Sequence, residues 1–331
     1  KYQDWLMDYI KSHPDFIKPQ SRYNEVLSFL EGNKLCDLCI SRPKERLSWG
    51  IPVPFSKDHV AYVWFDALIN YISAVGFSYE DKKFKKFWPA DAHLMGKDIL
   101  RQHAIYWPII LRSLGIEPPK MIFAHGWWLS PLKGDTQKMS KSKGNIVNPL
   151  DIVKKYGVDT YRYFLLREVP FGLDGTFQEE ALKKRFNADL ANDLGNLVYR
   201  TLTMLEKYLG GKLPANIDLK SVSQNHIIQS LEGLGDSIAR AMSGLDFSSA
   251  LSEIWSVINL ANKYIEQTKP WNLAKENKDK ELKEFLFILI EVIKKVSCEI
   301  YPFMPETAAK INEQIKKDKI EKAAPLFPRL D

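Results

Sequence analysis

Cysteine is scarce in this sequence: Cys36, Cys39 and Cys298 are too few to staple 331 residues with a disulfide framework, so a core must come from apolar packing. A reducing, cytoplasmic setting is the corresponding expectation. Long apolar runs are missing as well. Phe285 to Ile290 is a typical greasy stretch, far short of the ~20 residues a membrane-spanning helix needs, so no membrane partner is expected. No charge of one sign dominates: 47 Lys and Arg against 41 Asp and Glu leave +6, which permits a polyanionic partner without requiring one. The start lacks the charged, apolar, small-residue pattern of a leader and opens instead in mid-helix, like a cut end. Cys36 and Cys39 have the spacing of half a zinc knuckle, but four ligands are needed and no second such pair follows, so no structural zinc is expected. What is present, 45% hydrophobic and 12% aromatic residues, suits a folded chain of about two domains.

The pattern of elements changes along the chain. His59 to Phe65 is a short apolar run rich in strand formers and reads as a buried strand. His93-Leu94-Met95-Gly96, a helical stretch to Arg112, and Met121 to Gly126 then repeat a strand, helix, strand rhythm that implies a parallel sheet. Leu129 to Asn148 carries Gly134, Gly144 and a cluster of Lys and Ser without periodicity, the mark of a polar loop. Beyond Gln178 helical spacing takes over, in residues 179–209, 225–242, 247–268 and 280–298 with a shorter stretch at 304–316. The fold class expected is α/β followed by an all-α helix bundle.

Two constellations could carry chemistry. Lys138-Met139-Ser140-Lys141-Ser142, followed by Lys143-Gly144-Asn145, sets ammonium groups and hydroxyls in a glycine-bordered loop that could close on a phosphate chain. An isolated lysine-rich surface loop would look similar. Trp64, Phe65 and Tyr71 supply one set of large rings, and Ile99, His103 and Trp107, spaced four apart on a helix, could form one row walling a pocket. A flexible thioether suits such a lining, because sulfur beside an aromatic ring gains ~0.3–1.5 kcal/mol. Plain core packing is the alternative for each residue alone.

The full Lys138 to Ser142 string matches the signature of class I aminoacyl-tRNA synthetases, and the whole chain resembles the methionyl-tRNA synthetase family. Residues 39–54, CISRPKERLSWGIPVP, resemble that family's return from an inserted domain into its catalytic core. The resemblance implies four regions: 1–45 as the end of the inserted domain, 46–128 as the second half of a Rossmann-like core, 129–178 as the lysine loop and linking domain, and 179–331 as a helical anticodon-binding domain. It implies a methionine pocket of Trp64, Ala67, Tyr71, Ile99, His103 and Trp107, with Leu68 departing from the proline of some members. Asp98 would hold the ATP ribose, His125, Gly126 and Trp127 would border the adenine, and Lys138 and Lys141 would meet the phosphates, with Mg2+ accompanying ATP. Arg42 would steady, through an ion pair, an aspartate upstream of the chain.

On the helix at 179–209, Asn192, Asn196 and Arg200 form a polar stripe opposite Leu190, Leu194 and Leu197. Amides and a guanidinium can bond unstacked bases, and Trp271, just after Lys269-Pro270, could stack on one. The family's anticodon-reading positions match all four. The implied activity is ATP-dependent charging of methionine tRNA through a methionyl-adenylate. The class's second signature, two histidines three apart, is missing among the six histidines, so a fragment inactive alone is expected, the alternative being a tRNA-binding module or one subunit of a split enzyme.

Overall fold

The computed structural model describes residues 1–132, 135–140, 144–215, 217–316, 319–321 and 324–330. They form two compact units, Lys1–Trp127 and Trp128–Asp331.

In the first unit, α1 (Gln3–Ser12) turns Leu6 and Ile10 inward and α2 (Gln20–Gly32) does the same with Val26 and Leu30, the four-residue spacing that puts two side chains on one face. Between them β1 (Ile17–Lys18) joins a parallel sheet of order β1-β5-β4, made with β4 (His93–Gly96) and β5 (Ile122–His125). Residues 1–45, expected to end an inserted domain, thus supply a strand and two helices that pack on this sheet's core with Leu100, Ala104 and Ile105. β5 is central, and its Ile122, Phe123 and Ala124 are all buried, as a strand covered on both faces requires. β4 lies at one side of the order and alternates: His93 and Met95 are buried while Leu94 is 55% exposed.

The strand expected over His59 to Phe65 needs correction. Only β3 (His59–Ala61) is extended, paired antiparallel with β2 (Ser41–Pro43), and α3 (Val63–Ser73) begins two residues later. A short apolar run fits either period. Here the four-residue interval from Leu68 to Ile72 decides, because both are buried on one helix face while Val63 is 59% exposed. A second core gathers Leu68 and Ile72 with Trp88, Trp107, Ile110 and Leu111.

The helical stretch to Arg112 is present but not uniform. A 3-10 turn at Lys97–Ile99 leads to a π-helical segment, Gln102–Tyr106, and then to α5 (Trp107–Ser113). Pro108 has no N–H to give to a carbonyl one turn back, and the wider turn ends just before it. The single row expected of Ile99, His103 and Trp107 is therefore split: Ile99 packs on the sheet core, whereas Trp107 lies in the second core.

In the second unit β6 (Trp128–Leu132) pairs antiparallel with β7 (Asp135–Lys138) and parallel with β8 (Gly175–Thr176). α6 (Pro149–Tyr156) starts where the Asn148 side chain accepts from the Leu150 N–H and Pro149 fills a first-turn position without a needed donor. α7 (Val158–Arg167) follows. Tyr163 of α7 donates to Asp189 at 2.7 Å, and Asp159 accepts from the Thr307 N–H at 2.6 Å. α8 (Glu179–Arg185), a π-helical segment (Phe186–Gly195) and α9 (Asn196–Leu209) run on as one long rod that stops at Gly210, whose φ of 59° suits a residue without a Cβ.

The bundle continues through the short α10 (Leu219–Ser223), α11 (His226–Leu231), α12 (Leu234–Ser243), α13 (Phe247–Thr268), α14 (Pro270–Lys275), α15 (Asp279–Ile300) and α16 (Pro305–Ile315). The single helix expected at 225–242 is two, broken at Gly233 with φ 71°. Leu282, Phe285, Leu286, Leu289, Ile293 and Val296 of α15 meet Ile254, Ile258, Ala261 and Ile265 of α13 in one continuous core. No described helix is long and apolar enough to cross a membrane.

Candidate functional site

In the first unit α3 carries Trp64, Ala67 and Tyr71 at intervals of three and four, so all three share a face, with Ala67 exposed and Leu68 buried behind it. His103 of the π-helical segment stands against that face. Its ring lies edge-on to Trp64 at 6.1 Å and to Tyr71 at 5.6 Å, and Tyr71 is 6.1 Å from the fully buried Trp107. Five of the six expected pocket residues thus lie on three helical elements, α3, the π-helical segment and α5, while Ile99 meets His103 through its carbonyl.

That carbonyl settles the protonation of the ring. Ile99 O can only accept, at 3.0 Å, so the proton of His103 is on Nδ1, and Nε2 must accept from the Tyr71 hydroxyl at 2.9 Å. Burial pushes the His103 pKa down, against the opposing pull of the Ile99 carbonyl, and burial pushes the Tyr71 phenol up. Both groups are neutral. The site offers an apolar, aromatic wall with one oriented hydroxyl, suited to a soft side chain rather than a charged one.

The turn after β4 gathers the residues expected around ATP. The Trp127 indole donates to Asp98 Oδ1 at 3.3 Å, and the Lys97 ammonium sits 4.4 Å from the Trp127 ring centre. Gly96 pairs with His125 across the sheet, and a Cβ on Gly96 would come within 2.6 Å of Asp98 Oδ1, so a larger residue there would have to push the Asp98 carboxylate aside. His125 Nδ1 donates to the Gly126 carbonyl at 2.8 Å. These groups stand at the carboxyl end of two parallel strands, where open α/β sheets take nucleotides.

Arg42, on β2, donates to the carbonyls of Cys39 at 3.0 Å and Ser41 at 2.7 Å and lies 3.9 Å from the Tyr62 ring. Cys36 and Cys39 are both exposed, and the described residues hold no cluster of three metal-ligating side chains.

In the second unit Lys138 ends β7 opposite Leu129, whereas Lys141 lies outside the described residues. Asn145, quoted in the sequence only as part of the loop, is buried and bonds both of its sides. Its Oδ1 accepts from the Ser140 N–H at 2.8 Å and its Nδ2 donates to the Lys138 carbonyl at 3.4 Å.

Along the π-helical segment and α9, Asn192 is exposed and Asn196 half-buried, and both line a shallow pocket of about 320 Å3 with Tyr199, Phe327 and Arg329. The last three were not foreseen. Arg200 bonds Glu266 of α13 at 2.6 Å, a partner 66 positions away that no local pattern announces. Trp271, in the first turn of α14, is 39% exposed. Beneath the stripe, Asp193 is pushed up to about 6 by burial and by the neighbouring Asp189 carboxylate.

Comparison with known proteins agrees along the whole chain. The family described as tRNA synthetases class I (M) matches residues 1–202, and the anticodon-binding domain of tRNA ligase matches residues 224–329. The methionine–tRNA ligase of Clostridium perfringens is 47% identical over 350 residues, covering 100% of this chain and 53% of the relative. That of Bacillus subtilis is 42% identical over 352 residues, covering 100% and 52%. The crystal structure of Mycobacterium tuberculosis methionyl-tRNA synthetase bound by methionyl-adenylate superposes with a TM-score of 0.89 at 40% identity, over 99% of this chain and 67% of that one. Its apo form gives 0.88 at 38% identity, over 100% and 67%. The chain spans about half the length of the curated relatives it matches. It belongs to the methionyl-tRNA synthetase family of the class I tRNA synthetases.

Proposed function

We propose that the chain supplies the methionine pocket, the ATP loop and the anticodon-reading helices of a methionine–tRNA ligase. The observation that carries this is the neutral aromatic wall of Trp64, Tyr71, His103 and Trp107, joined to a likeness with a structure that holds methionyl-adenylate. In the reaction the methionine carboxylate attacks the α-phosphorus of ATP, pyrophosphate leaves, and the adenylate is passed to the terminal ribose of the tRNA. Such phosphate chemistry is governed by positioning and by charge placed where it develops.

Each group has a part in that scheme. Tyr71 and His103 set the polar end of the pocket, and Trp64, Ala67, Ile99 and Trp107 complete its walls. Asp98 takes the ribose, with His125, Gly126 and Trp127 beside the adenine. Lys138 and Lys141 meet the phosphates, and Mg2+ enters as the partner of ATP. Arg42 serves the amino-group end through an acidic partner. Asn192, Asn196, Arg200 and Trp271 face the methionine anticodon. The test is methionine-dependent exchange of pyrophosphate into ATP by a complete synthetase that includes this chain. Exchange with methionine and not with leucine, isoleucine or valine is expected, and exchange that ignores methionine overturns the reading.

A further inference from the structure

His93 belongs neither to the pocket residues nor to the turn after β4, yet it sits at the centre of the aromatic cluster. It is on β4, only 6% exposed, and faces inward by the alternation that turns Leu94 out. Three rings surround it. Tyr71 covers it at 4.3 Å between centres with a tilt of 35°, Trp88 lies at 5.9 Å, and His103 stands edge-on at 6.4 Å. The indole N–H of the fully buried Trp107 donates to His93 Nε2 at 3.2 Å.

An indole nitrogen only donates, so Nε2 must be the bare acceptor and the single proton of the ring belongs on Nδ1. A doubly protonated imidazole would set N–H against N–H and break the bond. Burial, with His103 close by, pushes the His93 pKa down to about 4, so the accepting form persists at neutral pH.

The geometry points to His93 as the positioning residue of the pocket, fixing Trp107 through Nε2 and supporting the Tyr71 ring on its own face, so that the Tyr71 hydroxyl is held on His103. This rests on the reading of the cluster as a methionine pocket. His93 touches no substrate in the scheme. Its effect is to hold two wall residues on different helical elements in one arrangement, which no residue of α3 or α5 alone does. A buried polar pair of this kind fixes orientation, because indole and imidazole each lose their partner if either turns.

The experiment compares His93→Phe, His93→Gln and Trp107→Phe in a complete synthetase that includes this chain, by methionine-dependent pyrophosphate exchange. His93→Phe keeps a ring beneath Tyr71 but offers no acceptor. It should raise the KM for methionine roughly ten- to hundredfold and leave the KM for ATP within about twofold. His93→Gln, whose amide oxygen can reach the indole N–H, should recover most of that loss. Trp107→Phe removes the same bond from the donor side, and the double variant should lose no more than the worse single one. Additive losses, or an unchanged methionine KM in His93→Phe, overturn the proposal while the pocket reading stands. Equal losses for ATP and methionine with an early melt make His93 an ordinary core histidine and overturn it too. If the parent enzyme shows no saturation by methionine, the pocket reading fails and takes this inference with it.

Discussion

Tyr71 and His103 meet across 2.9 Å, and the direction of that bond is fixed from the far side of the imidazole, where Nδ1 is engaged by the Ile99 carbonyl. Tyr71→Phe would leave Nε2 buried without a donor, at a cost of ~1–3 kcal/mol wherever that arrangement is required. The expected result is a methionine KM raised by about five- to 150-fold, with ATP saturation little changed. Steady-state pyrophosphate exchange with each substrate varied in turn checks this. A lower melting temperature with both constants unmoved would show that the hydroxyl serves stability alone.

Asn145 ties the two sides of the lysine loop together, since from the residues that follow the loop its side chain reaches back to both the Ser140 N–H and the Lys138 carbonyl that precede it. Asn145→Ala frees both. On the proposed role of Lys138 and Lys141 at the ATP phosphates, adenylate formation should slow about tenfold in single turnover while methionine affinity is preserved. Asn145→Asp keeps the Ser140 acceptor and loses the donor to Lys138, so it should fall between the parent and the alanine variant. An alanine variant as fast as the parent would remove the loop tie from the mechanism.

The sequence displays the repeating parts of this fold and conceals its local exceptions. Leu282 to Val296 and Ile254 to Ile265 keep helical spacing for several turns, and the two helices lie where that spacing puts them. Ile122 to Ala124 is apolar without interruption and is a central strand. The run from Val60 to Phe65 is too short to distinguish a period of two from one of 3.6, so the start of α3 was invisible. The π-helical segments at Gln102–Tyr106 and Phe186–Gly195 are equally silent, because the same residue types fill a wide turn and an ordinary one. In the site, the aromatic residue types were legible, but the tautomers follow from Ile99 and Trp107 in three dimensions. The cover of Arg200 by Glu266 and the approach of Phe327 and Arg329 to Asn192 join positions far apart in the chain.

Asp193 makes the stability of the second unit depend on pH. Its folded pKa is about 6, raised by burial and then by Asp189, whereas the unfolded side chain ionises near the ordinary aspartate value. Between those values the folded chain binds more protons, so stability falls as pH rises through the window and stays lower above it. Allowing for solvent screening of this half-buried group, the loss is roughly 1–2 kcal/mol. Asp193→Asn removes the penalty, and the transition of the second unit should rise by about 2–8 °C at pH 7 and hardly at all near pH 4. Calorimetric scans of the chain at both pH values check this, and a variant no more stable at pH 7 counts against the assignment.

Trp271 is set apart from the bundle core by its exposure of 39% and by its place in the first turn of α14. Truncating a buried tryptophan costs ~3–5 kcal/mol, but an exposed ring leaves little cavity, so Trp271→Ala should melt within about 2 °C of the parent chain. Stacking of one base on such a ring contributes ~1–3 kcal/mol, and binding of methionine tRNA should therefore weaken about five- to 150-fold. Arg200→Ala acts on the same step for a different reason. The Arg200–Glu266 pair is largely exposed on the glutamate side, 62%, so its loss should barely move the melt, while the variant removes the guanidinium proposed to meet the anticodon. The two variants together separate recognition from folding. Both should leave methionine-dependent pyrophosphate exchange intact in the assembled enzyme and reduce charging of methionine tRNA, with a smaller reduction for tRNA whose anticodon has been altered. If Trp271→Ala melts much earlier yet distinguishes the two tRNAs as well as the parent does, the ring belongs to the bundle and another side chain reads the base.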